Sequence, residues 1–212
     1  FLVYRLFDVT YRAVFVFAAF CMILAGILFF FLEARQVKDP PGKRFVLRKE
    51  YNTYYLLSVL NGARKQITLT FVPWLLIDIF RQPVTTLTAL FLATCLLNIA
   101  FRPWFGGLID RRGESYALRL EALILFVVCI GFAYAKHLLS PTAALAVVAA
   151  CYVVDKLMES ASMARATYVR RVSADTTEVA KTLSMGLSMD HLVSMFIPLA
   201  AGFAWYAGGP EG

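Results

Sequence analysis

Gly106-Gly107-Leu108-Ile109-Asp110-Arg111-Arg112-Gly113 separates two long apolar runs of the sequence. The run before this stretch covers residues 84–105, and the run after it begins near residue 117. Each run is long enough to cross a bilayer, because about 20 predominantly apolar residues span the hydrocarbon core. Glycine lets a backbone turn sharply or approach a neighbouring helix closely. The stretch therefore predicts a tight connection between two membrane spans.

The connection carries a net positive charge. Its one acidic residue, Asp110, is accompanied by the cations Arg102, Arg111, Arg112 and Arg119. Short loops that are rich in Lys and Arg remain on the cytoplasmic side of a membrane. This rule assigns the connection to the cytoplasm, and the sidedness of every other predicted span follows from it.

The spacing Gly106-x-x-x-Asp110-Arg111-x-Gly113 resembles a loop motif of the major facilitator superfamily of secondary transporters. In that family the motif joins the second and third spans, and a copy joins the eighth and ninth. The family pattern usually continues with one or two cations, whereas Glu114-Ser115 follows here. A soluble helix-turn-helix would fit the motif equally well, but the membrane-length runs on both sides favour the transporter loop. The resemblance implies that the motif forms a cytoplasmic gate in which Asp110 is the central residue.

The composition excludes an ordinary soluble domain. Hydrophobic residues make up 60% of the chain, charged residues 17%, and the mean hydropathy is +0.67. A soluble domain of this length could not bury so much apolar surface. The net charge of +7 resides largely in short segments between apolar runs, which topogenic charge explains better than nucleic-acid binding. We therefore predict an all-α membrane protein with no nucleic-acid partner.

Six apolar runs are candidates for membrane spans. They cover residues 13–32, 52–80, 84–105, 117–135, 142–162 and 183–207. The second run is interrupted by the polar stretch 61–66 and by Pro73, which predicts a kink because proline lacks a backbone donor. The fold class that we predict is a bundle of six transmembrane helices.

A second resemblance numbers these spans. Asn61-Gly62-Ala63-Arg64-Lys65-Gln66 together with Phe71-Val72-Pro73-Trp74 resembles the seventh span of a bacterial branch of the same superfamily. By these two resemblances, the six predicted spans correspond to spans six to eleven of a 12-helix fold. Residues 1–32 would then end the N-terminal bundle, 33–50 would be a cytoplasmic linker, and 51–212 would form an incomplete C-terminal bundle. The twelfth span and the N-terminal half of the same protein would be missing.

The polarity of the span interiors divides the spans into two kinds. Predicted spans one and four have no charge near their middles, whereas spans two, three, five and six have polar or charged interiors. A helix that faces lipid does not tolerate ions, but a helix that lines a wet cavity does. The resulting order of lipid, cavity, cavity, lipid, cavity and cavity matches the resembled family, whose sixth and ninth spans are peripheral.

The polar interior residues are candidates for substrate binding or ion coupling. They are Arg64, Lys65, Asn98, Asp155, Glu159 and Asp190. With about 1.5 Å of rise per residue, Arg64, Asp155 and Asp190 lie at similar depths, about 10–15 Å from the cytoplasmic face. The two cations can therefore be balanced by the three carboxylates, which is the usual way in which a membrane tolerates ions. A static structural network of ion pairs is the alternative interpretation.

The leading hypothesis is a secondary transporter that moves a small solute by alternating access and is coupled to protons. It would be a multi-pass protein of a bacterial inner membrane. The alternative is a membrane sensor or scaffold that does not transport and uses the ion pairs structurally. The sequence contains no Gly-rich phosphate loop, metal-ligand cluster or nucleophile–base pair, so we predict no enzyme activity, no cofactor and no metal.

Overall fold

The computed structural model describes residues 11–31, 48–173 and 176–208 of the chain. All of the regular secondary structure within these ranges is helical, without a strand. The predicted all-α fold class is confirmed. The end of the first predicted span and most of the predicted linker, residues 32–47, lie outside the described residues.

Seven α-helices follow one another along the described chain. They are α1 (Tyr11–Phe30), α2 (Asn52–Trp74), α3 (Val84–Arg112), α4 (Glu114–Leu138), α5 (Pro141–Met158), α6 (Ser162–Val172) and α7 (Thr176–Gly208). Short 3-10 turns at Lys49–Tyr51 and Glu159–Ala161 precede α2 and α6. The chain divides into two compact units, Phe1–Gly42 and Lys43–Gly212, and helices α2 to α7 all belong to the second unit.

Five helical segments are long and apolar enough to cross a membrane. They are Arg12–Phe30, Val84–Arg112, Glu114–Leu138, Pro141–Val172 and Glu178–Phe203. Helix α2 is long enough at 23 residues but is not among them. The polar stretch 61–66 lowers its hydropathy, as expected for a helix whose polar side faces protein or water rather than lipid.

Large apolar side chains cover much of the surface of these segments. Phe15 on α1 is 71% exposed, and Leu96, Phe126 and Met195 on later helices are also well exposed. A water-soluble protein does not expose apolar surface on this scale. Acyl chains of the bilayer therefore account for these side chains.

The predicted connection at residues 106–113 is shorter than the motif indicated. Helix α3 continues through the motif to Arg112, and α4 begins at Glu114. Phe105 and Ile109 are buried against Ala117, Ala161 and Ala164, and this packing keeps the segment helical. The turn is the single residue Gly113, whose φ of 83° is readily adopted only by glycine.

The segment after the fifth predicted span is helical, although it is basic and lies between two apolar runs of the sequence. A 3-10 turn at Glu159–Ala161 leads directly into α6. Ala164 is buried against Phe105 and Ala117, and Val169 is buried against the tyrosine cluster at the start of α2, so this short basic helix packs on two sides. Arg170 and Arg171 occupy its last turn, where cations interact favourably with the helix dipole. Helix α6 brings the basic side chain of Arg165 beside α2.

The predicted kink at Pro73 coincides with a change of helix type. Helix α2 ends at Trp74, and Leu75–Ile79 forms a π-helical turn. Val72 and Leu76 are buried there against Ala144 and Val148 of α5. The wider turn therefore occurs where α2 packs against α5.

Helices α2 and α7 pack closely at two glycines. A Cβ atom on Gly62 would lie 2.5 Å from the carbonyl oxygen of Asp190, which is closer than carbon and oxygen can approach. The hydroxyl of Ser194 donates to the carbonyl of Gly62 at 3.1 Å. One turn before Asp190, a Cβ atom on Gly186 would meet the ring of Tyr54 at 2.3 Å. The absence of side chains at Gly62 and Gly186 therefore sets how closely these two helices can lie.

Gly62→Ala is expected to destabilise the protein by about 1–3 kcal/mol, because the added methyl group must push the α7 backbone away. The measurement is thermal unfolding of the purified protein in detergent. Gly202→Ala on α7 is the matched control, since a Cβ atom there meets nothing within 4 Å. Equal stability of the two variants would show that α2 and α7 do not lie this close together.

Candidate functional site

Helix α2 presents three polar side chains at adjacent positions on its surface, Asn61, Arg64 and Lys65. Spacings of three and four residues bring side chains together on one face of a helix. Arg64 forms a hydrogen-bonded ion pair through Nη1 with Oδ1 of Asp155 on α5. Its Nη2 donates to Oδ1 of Asn61 at 3.2 Å, and Oγ1 of Thr68 lies 3.5 Å from the same Asp155 oxygen. These contacts connect α2 with α5.

A second ion pair connects α2 with α7. Nζ of Lys65 lies 2.6 Å from Oδ2 of Asp190, and Nδ2 of Asn61 donates to Oδ1 of Asp190 at 3.3 Å. Both carboxylate oxygens of Asp190 therefore have a donor. Because Asn61 also accepts from Arg64, it links the two ion pairs into one network across three helices.

The Arg64–Asp155 pair is the more deeply buried of the two. The side chains of Arg64 and Asp155 are 14% and 2% exposed, whereas Lys65 is 31% exposed. A charge at such a position requires a partner, since an unpaired buried ion is strongly destabilising. Oδ2 of Asp155 and Nε of Arg64 are buried and have no hydrogen-bond partner within the described chain. One carboxylate oxygen of Asp155 therefore has hydrogen-bond partners within the described chain, and the other has none.

A cavity of about 400 Å³ adjoins this network. It lies between α2, the 3-10 turn at Glu159–Ala161, α6 and α7. Its polar lining includes Ser58, Asn61, Arg64, Lys65, Glu159, Ser162, Arg165 and Asp190, and its apolar lining includes Ala166, Leu183 and Leu187. Asp155 is not among the lining residues, and Arg64, its partner, is. The cavity thus offers both charged and apolar contacts to a small molecule.

Glu159 and Asn98 pair with groups other than the cations Arg64 and Lys65. Glu159 lines the cavity, but the cation that it pairs with is Lys156, three residues earlier, at 2.7 Å. Asn98 donates to the carbonyl of Thr94 at 3.1 Å and accepts from Ser160 at 3.4 Å. Five of the six candidates therefore lie in the network or beside the cavity. The sixth, Asn98, lies instead at a contact between α3 and the 3-10 turn Glu159–Ala161.

Two further ion pairs join α4 to α6, and the sequence analysis did not identify them. Nη1 of Arg165 lies 2.8 and 3.1 Å from the two carboxylate oxygens of Glu121, and the two side chains are 11% and 8% exposed. Arg171 lies 2.8 Å from the buried carboxylate of Glu114. The spacing in the sequence is consistent with these pairs. Glu114 and Glu121 lie about two helical turns apart, and Arg165 and Arg171 are separated by a similar distance along α6.

The charged side chains of the motif at residues 106–113 lie at the surface. Asp110 and Arg111 are exposed and have no ion-pair partner among the described residues, and Gly106 lies within α3 with open space beside it. Gly113 forms the turn into α4. The adjacent Arg112 lies over the ring of Tyr116, 5.4 Å from its centroid.

Apolar helices of membrane length and a charged interior network together define an integral, multi-pass membrane protein. The family model of the Major Facilitator Superfamily matches residues 2–168, and the chain belongs to that superfamily. Members of this family are transporters that carry small solutes across membranes. Comparison with curated proteins and with solved structures finds no match. The family match includes Arg64 and Asp155 but ends within α6, so α7 and Asp190 lie outside it.

The Arg64–Asp155 pair can be tested by a double-mutant cycle. Arg64→Gln is expected to destabilise the protein by about 3–5 kcal/mol, because it leaves the Asp155 carboxylate buried and unpaired. Combining it with Asp155→Asn should recover much of that loss. The measurement is chemical or thermal unfolding in detergent. The same cycle at Lys156 and Glu159, where Glu159 is 40% exposed, should give a coupling of at most about 1 kcal/mol.

Proposed function

We propose that the chain belongs to a secondary active transporter that moves a small solute by alternating access and couples this movement to protons. The observation that supports the proposal is the buried network formed by Arg64, Asp155, Asn61, Lys65 and Asp190 beside a cavity. Structural ion pairs alone would not require a cavity of this size next to them. A transporter requires both a solute site and charges that can change partners within the membrane.

The transport cycle would involve the rest of the protein. In alternating access, two bundles rock against each other around a fixed central site. Helices α2, α5 and α7 carry the network, and these three helices would line the central cavity together with helices of the N-terminal half. A bacterial inner membrane is the location that we propose, on the basis of the resemblance of residues 61–74 to a bacterial branch.

Asp155 is the residue that we propose as the proton-binding group. Its carboxylate is almost fully buried, and Oδ2 lacks a hydrogen-bond partner within the described chain. A proton on Oδ2 would neutralise the carboxylate and weaken its pairing with Arg64, so protonation and the arrangement of α2 and α5 would depend on each other. Other charged or titratable groups around Asp155 are Lys156, Glu159, Cys151 and Cys129.

Asp155→Asn is expected to uncouple transport from protons. The test uses the full-length protein in proteoliposomes, first screened with radiolabelled solutes in counterflow, which requires no ion gradient. The wild type should accumulate its solute when a pH gradient is imposed and lose this accumulation when a protonophore is added. Asp155→Asn should retain counterflow, because the amide oxygen can still accept the hydrogen bond from Arg64. It should fail to accumulate, because an amide does not gain or lose a proton in the accessible pH range.

Glu159→Gln is the matched control for this experiment, since Glu159 is the carboxylate four residues after Asp155 in the chain and is paired locally with Lys156. It should keep gradient-driven accumulation. Accumulation by Asp155→Asn at the wild-type level would show that another group binds the proton. A full-length protein that binds solutes but gives no flux in any assay would instead favour the sensor or scaffold interpretation.

We further propose that Asp110 acts in a cytoplasmic gate. Asp110 is exposed at the end of α3, one turn before the sharp turn at Gly113, and has no ion-pair partner within the described second unit. An exposed carboxylate at such a position is available to a helix N-terminus of the other half, where the helix dipole favours a negative charge.

Asp110→Asn is expected to leave membrane insertion intact and shift the protein toward its inward-open state, because the amide interacts more weakly with a helix dipole. The measurement is the labelling rate of a cysteine introduced on the cytoplasmic side of the cavity, at Ala166. Arg111→Gln, the neighbouring exposed charge, serves as the comparison. An unchanged labelling rate in Asp110→Asn would rule out this role.

A further inference from the structure

More cationic than anionic side chains line the cavity. Each of the four ion pairs near it is neutral as a pair, so the sign that a solute meets depends on which member faces the cavity. Arg64 and Arg165 line the cavity, while their partners Asp155 and Glu121 do not. Three cationic side chains, Arg64, Lys65 and Arg165, therefore line the cavity against the two carboxylates of Glu159 and Asp190.

The two carboxylates have limited capacity to bind a positively charged solute. Both oxygens of Asp190 already accept hydrogen bonds, from Asn61 and Lys65. Glu159 accepts from Lys156 through Oε1 and keeps only its other oxygen. A solute cation would share three of the four carboxylate oxygens of the lining with a protein donor.

The cations have more capacity, because they carry more donors than their partners use. Both hydrogen bonds of Arg165 to Glu121 come from one nitrogen, Nη1, so its other N–H groups are not taken by that carboxylate. The ammonium group of Lys65 has three donors, and Asp190 takes one of them. Arg64 also keeps unused N–H groups, but both of its terminal nitrogens already hold a protein partner, Asp155 and Asn61, and its Nε is buried. Arg165 is bound to Glu121 through Nη1 alone and keeps Nη2 for an additional acceptor, and Lys65 keeps two of its three N–H groups.

We propose that the solute is a small organic anion whose acidic group binds between Lys65 and Arg165. Its apolar part contacts Ala166, Leu183 and Leu187, which line the same cavity. The cavity volume of about 400 Å³ falls within the range of small-molecule sites, about 300–1,000 Å³. Oxyanions bound by ionised donors form shorter and stronger hydrogen bonds than neutral groups do. This inference rests on the proposed transport function and specifies the class of solute.

The first test measures binding in the full-length protein in detergent by isothermal titration, without any flux. Three ligands with the same apolar body are compared: phenylacetate, phenylacetamide and phenethylammonium. Phenylacetate is expected to bind at least about tenfold more tightly than either of the others, because only it offers a charged acceptor to both cations. Tighter binding of phenethylammonium, or equal or undetectable binding of all three, would overturn the proposal.

Arg165→Lys identifies the anion-binding group. The lysine can keep the single charge contact with Glu121 but loses the additional guanidinium donors, so phenylacetate affinity should fall about tenfold. Arg171→Lys is the matched control on the same helix, since Arg171 pairs with Glu114 and does not line the cavity. An equal effect of both substitutions, or no effect of Arg165→Lys, would overturn the assignment to Arg165.

A second measurement reports the sign of the charge without relying on a ligand or on the folding of the Arg165 variant. Single cysteines are introduced at Ala166, which lines the cavity, and at Thr167, which is exposed beside it, after replacement of the four native cysteines. Each is labelled with thiosulfonates that carry a sulfonate or a trimethylammonium group. The ratio of sulfonate to trimethylammonium labelling rates should be higher at Ala166→Cys, and an equal or lower ratio would overturn the proposal. Anion binding without flux would overturn the transport function alone, and flux of a cation would overturn the solute class alone.

Discussion

A buried arginine inside the membrane must have a partner, and the arrangement of the second unit depends on this requirement. Arg64 obtains its partner from Asp155, which brings α2 against α5. Nη2 of Arg64 donates to Asn61, and Asn61 with Lys65 binds Asp190, which brings in α7. These contacts can form only because Gly62 has no side chain between the backbones of α2 and α7. Electrostatics and close packing thus act at the same point of the bundle.

The same pairing limits what Arg64 can do for a solute. Both terminal nitrogens of Arg64 already hold a protein partner, so an anion bound there would compete with the contacts that stabilise three helices. This conflict is smaller at Arg165, which is bound to Glu121 through Nη1 alone, and at Lys65, which uses one of its three N–H groups. In the proposed mechanism, coupling and solute binding would therefore belong to neighbouring groups, with Asp155 on one side of Arg64 and the cavity on the other.

Much of this arrangement could be predicted from the sequence, and the exceptions have physical reasons. Hydropathy over about 20 residues identifies spans, and a count of rise per residue brought Arg64, Asp155 and Asp190 to one depth. Depth along the helices could not show that Glu159 pairs with Lys156. A partner only three residues away in the chain is closer to Glu159 than a cation on another helix. Helix α6 was missed because a short basic segment resembles a loop until Ala164 and Val169 are seen to be buried.

Arg165 belongs to one set of ion pairs and lines the cavity beside the other set. It is held to Glu121 on α4 by one nitrogen, and Arg171 and Glu114 make a second contact between the same two helices. Helices α4 and α6 are therefore tied together independently of the network around Arg64. Lys65, in contrast, belongs to the network of α2, α5 and α7. An anion bound between Lys65 and Arg165 would connect these two groups of helices, so that occupancy of the cavity would favour the arrangement in which they lie close together. Solute binding could influence the helix arrangement in this way through two hydrogen-bonding side chains on different helices.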